Sequence, residues 1–289
     1  MKDMTEAQQV RVGKIDLDTV GAAYLLGVAR EDEVQVVRGD ATPEDLADPK
    51  VICIEVGGSG QGYQLNNWDH HGEGAPVDSA TLQVLNDAFG SCTINGWKLV
   101  DYINKLDTKG PQALGKKFEE LFPTLSDVFA GMLLTERNPV EQLHKGIELL
   151  KTIMDSNQDP FGQIKGFDSY AEAKTENNRQ IAKAVENAQW TTTRQNGYKL
   201  GFLETEFFGA PGALYGHGAQ VVVAFNPNFN GIRKFTVAGN GVKVDAVKGQ
   251  LNAKEPGWGG PPTGTILGSP REGSILSLEE VVRIVKETL

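Results

Sequence analysis

The chain has 289 residues, enough for a full hydrophobic core and for two domains. Hydrophobic residues at 39% and charged residues at 23% are ordinary for a soluble globular protein, and no apolar run approaches the roughly 18 residues of a membrane span. A net charge of −10 with no Lys/Arg block excludes a groove for bulk duplex nucleic acid.

Lys116-Lys117 and Arg233-Lys234 are isolated pairs and read as solvated surface. A short oligonucleotide or a small phosphorylated molecule stays open as a partner, because metals can supply the missing positive charge. Behind Met1-Lys2-Asp3-Met4-Thr5-Glu6 there is no apolar core of a signal peptide. The two cysteines, Cys53 and Cys92, read as buried reduced thiols, which fits a cytoplasmic location.

The first third alternates strand and helix signals. Strands are predicted over 9–15, 34–37 and 51–56, with helices over 18–29 and 42–48 between them. The continuously apolar Val51-Ile52-Cys53-Ile54 suits a buried parallel sheet. From 78 to 156 the pattern is helical, with segments near 78–90, 95–106, 111–122, 124–135 and 139–154. Asn157-Gln158-Asp159-Pro160-Phe161-Gly162 breaks it, and a polar helix over 169–188 comes next. Strands are then predicted over 198–204, 220–225, 233–238 and 242–244. A Gly/Pro-rich stretch runs from 257 to 273, and Ser277-Leu278-Glu279-Glu280 resembles a capping box opening a final helix. The expected fold class is α/β: a parallel-sheet N-terminal domain (1–156), a helical linker (157–189) and a smaller α+β C-terminal domain (190–289).

Asp69-His70-His71 holds two of the four histidines side by side after a carboxylate. Neighbouring imidazoles on one rigid segment point in different directions, so one can hold a metal while the other reaches a substrate oxygen. Asp16-Leu17-Asp18 and Glu55 sit at the carboxyl ends of predicted strands, and in parallel sheets catalytic groups gather beyond those ends. Each feature also has a structural reading. An Asp before a helix is often an N-cap; paired histidines occur on solvated loops; Glu55 at a strand end can face solvent. His144 on a helix reads as structural or exposed. His217 between glycines is a candidate substrate contact.

The ordered clusters Asp-Leu-Asp-Thr-Val-Gly-Ala-Ala, Ile-Glu-Val-Gly-Gly, Trp-Asp-His-His-Gly and Leu-Val-Asp-Tyr-Ile-Asn-Lys-Leu-Asp resemble the four motifs of the DHH phosphoesterase superfamily. That superfamily includes RecJ-type exonucleases, oligoribonucleases and family II inorganic pyrophosphatases. The spacing from Glu55 to His70 is short (70 − 55 = 15). The resemblance implies Mn²⁺ or Mg²⁺ held by Asp16, Asp18, Glu55, His70 and Asp107, with Asp101 competing for the last place. It also implies that His71 contacts the phosphoryl group and that Asp69 orients a histidine. The stretches around Gly259-Gly260 and Ser269–Ser274 resemble a DHHA1-type substrate domain, which makes Arg271, Ser274, Gly259 and Gly260 the expected substrate contacts, with His217 added by its exposing glycines.

One departure stands out. The superfamily supplies a further ligand four or two residues before the first Asp, and here those positions are Val12 and Lys14. The leading expectation is a metal-dependent phosphoesterase acting on a small phosphate ester or short oligonucleotide. The alternatives are a non-catalytic binder of a phosphorylated ligand or nucleotide and a zinc hydrolase of a non-phosphate substrate. A homodimer is compatible with the sequence, which leaves the oligomeric state open.

Overall fold

The computed structural model describes residues 7–71, 76–89, 93–115, 121–229, 231–260, 263–270 and 272–289. The chain divides into two compact units, Met1–Lys174 and Thr175–Leu289.

Unit 1 is built on four parallel strands in the order β2-β1-β3-β4: β1 (Gln9–Val12), β2 (Glu33–Val36), β3 (Val51–Ile54) and β4 (Asn67–Trp68). Every residue of β3 is buried, as its unbroken apolar sequence requires of a strand covered on both faces. From β1 the chain crosses to β2 on one side and then returns to β3 on the other. The order therefore reverses between β1 and β3, where open parallel sheets form a crevice at their carboxyl edge. The helices of this unit are α1 (Leu17–Leu26), α2 (Pro43–Ala47), α3 (Gly62–Leu65), α4 (Ala80–Val84), α5 (Ile94–Lys109), α6 (Leu125–Thr135) and α7 (Pro139–Asp155). Its core joins Val10, Val12, Ile52 and Ile54 of the sheet to Val20 of α1, Ile103 of α5 and Leu143 and Leu150 of α7. Gly21 makes the close helix packing possible: a Cβ there would come within 2.5 Å of Thr81 Oγ1 and 2.7 Å of Ile103 Cδ1.

Helix α8 (Asp168–Glu186) contains the division between the units. Unit 2 carries a mixed sheet, β5 (Gln189–Thr192), β6 (Lys199–Glu204), β7 (Val221–Phe229), β8 (Ile232–Gly239) and β9 (Ile266–Gly268), in sequential order. Only β6 and β7 run parallel; the other pairs are antiparallel. Alternate β7 residues serve two cores. Val221, Val223 and Phe225 pack with Val281 and Val285 of α11 (Leu278–Thr288), and Val222 packs with Leu214 of α9 (Ala210–Gly216) and Ile181 of α8. Helix α10 (Lys248–Lys254) adds Leu251 to the first core. The capping box at Ser277 and Glu280 is formed.

Several local expectations change. The 78–90 helix becomes α4 and then a wider turn of π geometry over Leu85–Phe89, and in the described part of 111–122 Pro111–Leu114 forms a short 3₁₀ turn. Part of that last segment, with the Lys116-Lys117 pair, lies outside the described residues, as does Cys92. Residues 242–244 form no strand. Gly241, at φ 68°, turns the chain, and Val244 N–H donates to Gly264 O before the 3₁₀ turn Asp245–Val247. Strands β4, β5 and β9 have no counterpart in the expected pattern; two- to four-residue pairings leave little periodicity to detect.

Candidate metal centre

Segments leaving three adjacent parallel strands approach one another at the carboxyl edge of unit 1. After β1, Asp16 opens α1 by accepting from Thr19 N–H at 3.0 Å, which is the N-cap geometry. Two residues on, Asp18 is fully buried. Its two oxygens accept from the backbone N–H groups of Ala80 (2.7 Å) and Thr81 (2.9 Å), the first amides of α4. Free amides and the positive end of the helix dipole hold a carboxylate firmly there. Burial pushes the Asp18 pKa up, the Thr81 and Ala80 hydrogen bonds pull against it, and the Asp107 charge adds to the rise.

Glu55 sits directly after β3 with φ 57°, a left-handed conformation that costs a non-glycine residue about 1 kcal/mol and is found where surrounding structure enforces it. Gly13 borders its carbonyl so closely that a Cβ there would lie 2.5 Å from Glu55 O. Burial pushes the Glu55 carboxyl up to about 7. The contact with His70 opposes that rise, and the charges of Asp18 and Asp16 reinforce it.

His70, two residues past β4, is the hub. Its Nε2 lies 3.0 Å from Glu55 Oε1, 3.0 Å from Asp107 Oδ2 on α5 and 3.9 Å from Asp18 Oδ2. Contacts with Asp107 first and Glu55 second raise the imidazole to about 10, so without a metal it carries a proton at neutral pH. The three acids thus demand a positive charge at this point. Despite the short approaches, neither Glu55 Oε1 nor His70 Nε2 makes a hydrogen bond of acceptable direction, although both atoms are buried. Buried polar atoms are normally hydrogen-bonded, and a cation among them would supply the missing interaction. Carboxylate oxygens with one imidazole suit Mn²⁺ or Mg²⁺, so the residues present fit such an ion. Ligand atoms within 4.8 Å of one another form two groups, Glu55/His70/His71 and Asp18/His70/Asp107.

His71 points elsewhere. Its side chain is 67% exposed, and its Nδ1 sits 2.9 Å from Asp69 Oδ1. Burial alone would raise Asp69, but hydrogen bonds from His71 and from the Gly57 N–H (2.6 Å) bring it below the usual carboxylate range. A carboxylate held this way fixes the tautomer of His71 and leaves Nε2 for the outside.

Of the other expected site residues, Asp16 belongs to neither ligand group among the described residues, and Asp101 pairs with Lys105 one turn along α5 at 2.7 Å. Val12 is a core residue with no exposure, and Lys14 is 83% exposed, 3.6 Å from Asp16 Oδ2. Within unit 2, Ser274 is buried and donates to Glu255 Oε2 at 2.7 Å. Gly259 pairs its backbone with Gly268, and a Cβ on Gly260 would fall 1.9 Å from Ile266 O, so these residues are committed to internal packing. His217 is exposed at the end of α9, its carbonyl accepting from Lys199 Nζ; Arg271 lies outside the described residues.

Three supporting residues escaped the sequence. Gln83 Nε2 donates to the carbonyls of Asp69 (3.1 Å) and Asp78 (2.8 Å), and Asn104 Oδ1 accepts from Ser79 N–H (2.9 Å). Together with the Ala80 and Thr81 amides they tie α1, β4 and α5 to the start of α4. Only Ser79, as an N-cap, left a readable sign.

No protein-family model and no curated protein matches the chain. A solved structure described as a member of the S1p family of ribosomal proteins, DHH domain, is similar at a TM-score of 0.43 and 12% identity, over 96% of this chain and 85% of that one. An uncharacterised protein from Helicobacter pylori G27 gives 0.29 at 14% identity, over 96% and 97%. A Methanococcus jannaschii protein provisionally named a family II inorganic pyrophosphatase gives 0.22 at 14% identity, over 96% and 89%. At these scores the side chains, not the likenesses, have to carry any statement about function.

Proposed function

We propose that this chain is a divalent-metal-dependent phosphoesterase of the DHH type, acting on a small phosphate ester or a short oligonucleotide. The observation that carries this reading is the convergence of Asp18, Glu55 and Asp107 on His70 Nε2, with two of the facing atoms buried and lacking directed hydrogen bonds. Asp18, Glu55, His70 and Asp107 would hold the ion, and Mn²⁺ or Mg²⁺ bound there would acidify a water and offset phosphoryl charge. Asp18 contributes a ligand already oriented by the α4 amides. His71 presents Nε2 to a phosphoryl or leaving oxygen, and Asp69 stabilises its charged form as a proton is passed. Gly57 and Gln83 keep the Asp69 segment in register with Glu55.

The test uses full-length protein stripped of metal and reloaded with Mn²⁺, assayed on bis(p-nitrophenyl) phosphate. Turnover is expected for the native chain and none for His70→Ala or Asp107→Asn, both of which also lose Mn²⁺ uptake. Equal turnover in all three would dismiss the site. Phosphate binding without turnover under any metal would instead favour a non-catalytic phosphate sensor, the reading that Lys14 and Val12 support in place of two metal ligands.

A further inference from the structure

We infer that the first turn of α4 is a template that fixes the spread of the ligand atoms, with Asn104 and Gln83 as positioning residues, and that this spread selects a small divalent ion, Mg²⁺ or Mn²⁺, over Ca²⁺. This rests on the metal-dependent reading above and specifies which ion the site prefers and what enforces the preference.

Consecutive amides at the start of α4 divide between two elements that each carry a ligand. Ala80 N–H and Thr81 N–H donate to the Asp18 carboxylate at 2.7 and 2.9 Å, and the Thr81 hydroxyl donates to the Asp18 carbonyl at 2.9 Å, so α1 is held by both side chain and backbone. The preceding amide, Ser79 N–H, donates instead to Asn104 Oδ1 of α5 at 2.9 Å. Asn104 stands three residues before Asp107 on the same face of that helix, so fixing Asn104 fixes where Asp107 emerges.

The same turn reaches the third ligand through Gln83. Its Nε2 donates to the Asp69 carbonyl at 3.1 Å, one residue before His70, and to the Asp78 carbonyl at 2.8 Å. Ser79, Thr81, Gln83 and Asp18 are all buried, so water does not readily replace these hydrogen bonds and losing one leaves a buried polar group unpaired. Asp18, His70 and Asp107 are thus held to one short stretch of chain, residues 79–83.

The spacing so fixed is tight. Within this ligand group His70 Nε2 lies 3.0 Å from Asp107 Oδ2 and 3.9 Å from Asp18 Oδ2. Octahedral ligands about 2.1 Å from a small ion stand about 3.0 Å apart along an edge and about 4.2 Å apart across the centre. Around Ca²⁺, with oxygens about 2.4 Å away, the same separations are about 3.4 and 4.8 Å. The 3.0 Å approach equals the smaller edge, and 3.9 Å is short even of the smaller diagonal. Ca²⁺ would have to spread ligands that the α4 hydrogen bonds hold in place, whereas an ion that demands near-ideal geometry gains from them.

Metal-stripped full-length protein is loaded with Mn²⁺, which Mg²⁺ or Ca²⁺ then displaces, the released Mn²⁺ being followed by electron paramagnetic resonance. The native chain is expected to hold Mg²⁺ roughly tenfold more tightly than Ca²⁺. Asn104→Ala should weaken Mg²⁺ roughly 10- to 100-fold and Ca²⁺ less than about threefold, which removes the preference. Asn104→Asp keeps an acceptor for Ser79 N–H and is expected to keep the preference. Should Asn104→Ala show no folded melt in chelator, Gln83→Met, which removes the donor at similar volume, is read in its place with the same expectation. A native chain without preference, a preference surviving in the Ala variant, or an equal loss of both ions would overturn the inference and leave the metal site standing. No Mn²⁺ uptake by the native chain would overturn both.

Discussion

Glu55 in unit 1 and Glu255 in unit 2 are both buried carboxylates, and their surroundings are opposite. Glu255 receives Trp258 Nε1–H at 3.1 Å, Ser274 Oγ–H at 2.7 Å and Ile275 N–H at 2.6 Å. Glu55 Oε1 has a ring nitrogen 3.0 Å away and no directed hydrogen bond, at a strained backbone position. A carboxylate whose donors are all supplied by its own loops organises those loops. One left short of donors beside other acids and a histidine is arranged for something else. The same difference explains why the glycine-rich tail, so suggestive in sequence, is committed to holding its own fold at Ser274, Gly259 and Gly260, while the acids scattered through the first third converge.

The sharpest way to break this comparison is Glu255→Ala. Three donors lose their acceptor, two of them buried, and unfolding free energy in urea is expected to fall by about 3 kcal/mol, with Mn²⁺ uptake unchanged. Loss of Mn²⁺ binding in that variant would erase the distinction between the two glutamates. Asp69→Asn comes next. It keeps an acceptor for only one of the Gly57 and His71 amides, which bond to different Asp69 oxygens, and it cannot stabilise an imidazolium, so kcat/KM on a phosphodiester should drop roughly 10- to 100-fold while Mn²⁺ affinity holds. An equal fall in Mn²⁺ affinity would make Asp69 part of the metal shell instead.

Ser274→Ala should lower stability by about 1 kcal/mol and leave phosphate binding untouched, because its hydroxyl is turned onto Glu255. Weakened phosphate binding at constant stability would return Ser274 to the role the sequence suggested. The smallest effect has the opposite sign. A buried acid with a raised pKa is one whose ionised form the fold disfavours, so ionised Glu55 costs stability at pH above about 7. Glu55→Gln should therefore melt in chelator at pH 8 no lower than the native chain, and up to about 1 kcal/mol more stably, while losing Mn²⁺ uptake. A clear drop in melting temperature would show that Glu55 is held for structure, like Glu255.

Much of unit 1 was legible from its residues. Periodicity placed β1, β2, β3 and α1, and the fully apolar Val51–Ile54 told of a sheet covered on both faces. Asp16, Asp18 and Glu55 were readable as a set because each lies at the carboxyl end of a predicted strand, and parallel strands deliver such residues to one edge, whereas His70 was read from its place in Asp69-His70-His71. Asp16 was ambiguous for a physical reason: the position that could supply a ligand is also the one that caps α1, and the amide of Thr19 lay nearer than any cation.

Sequence by itself determined the order of elements and the inventory of chemistry: which acids and imidazoles exist, and after which strands. Only the tertiary structure placed Asp107 beside His70 and Asp101 beside Lys105, although both sit on the same helix. It alone assigned Asp18 to amides 62 and 63 residues away and Ser274 to Glu255 rather than to a ligand. The physical reason is range. Propensity and periodicity act between residues a few places apart, whereas the satisfaction of a buried polar atom is settled by whichever partner the folded chain brings within about 3 Å.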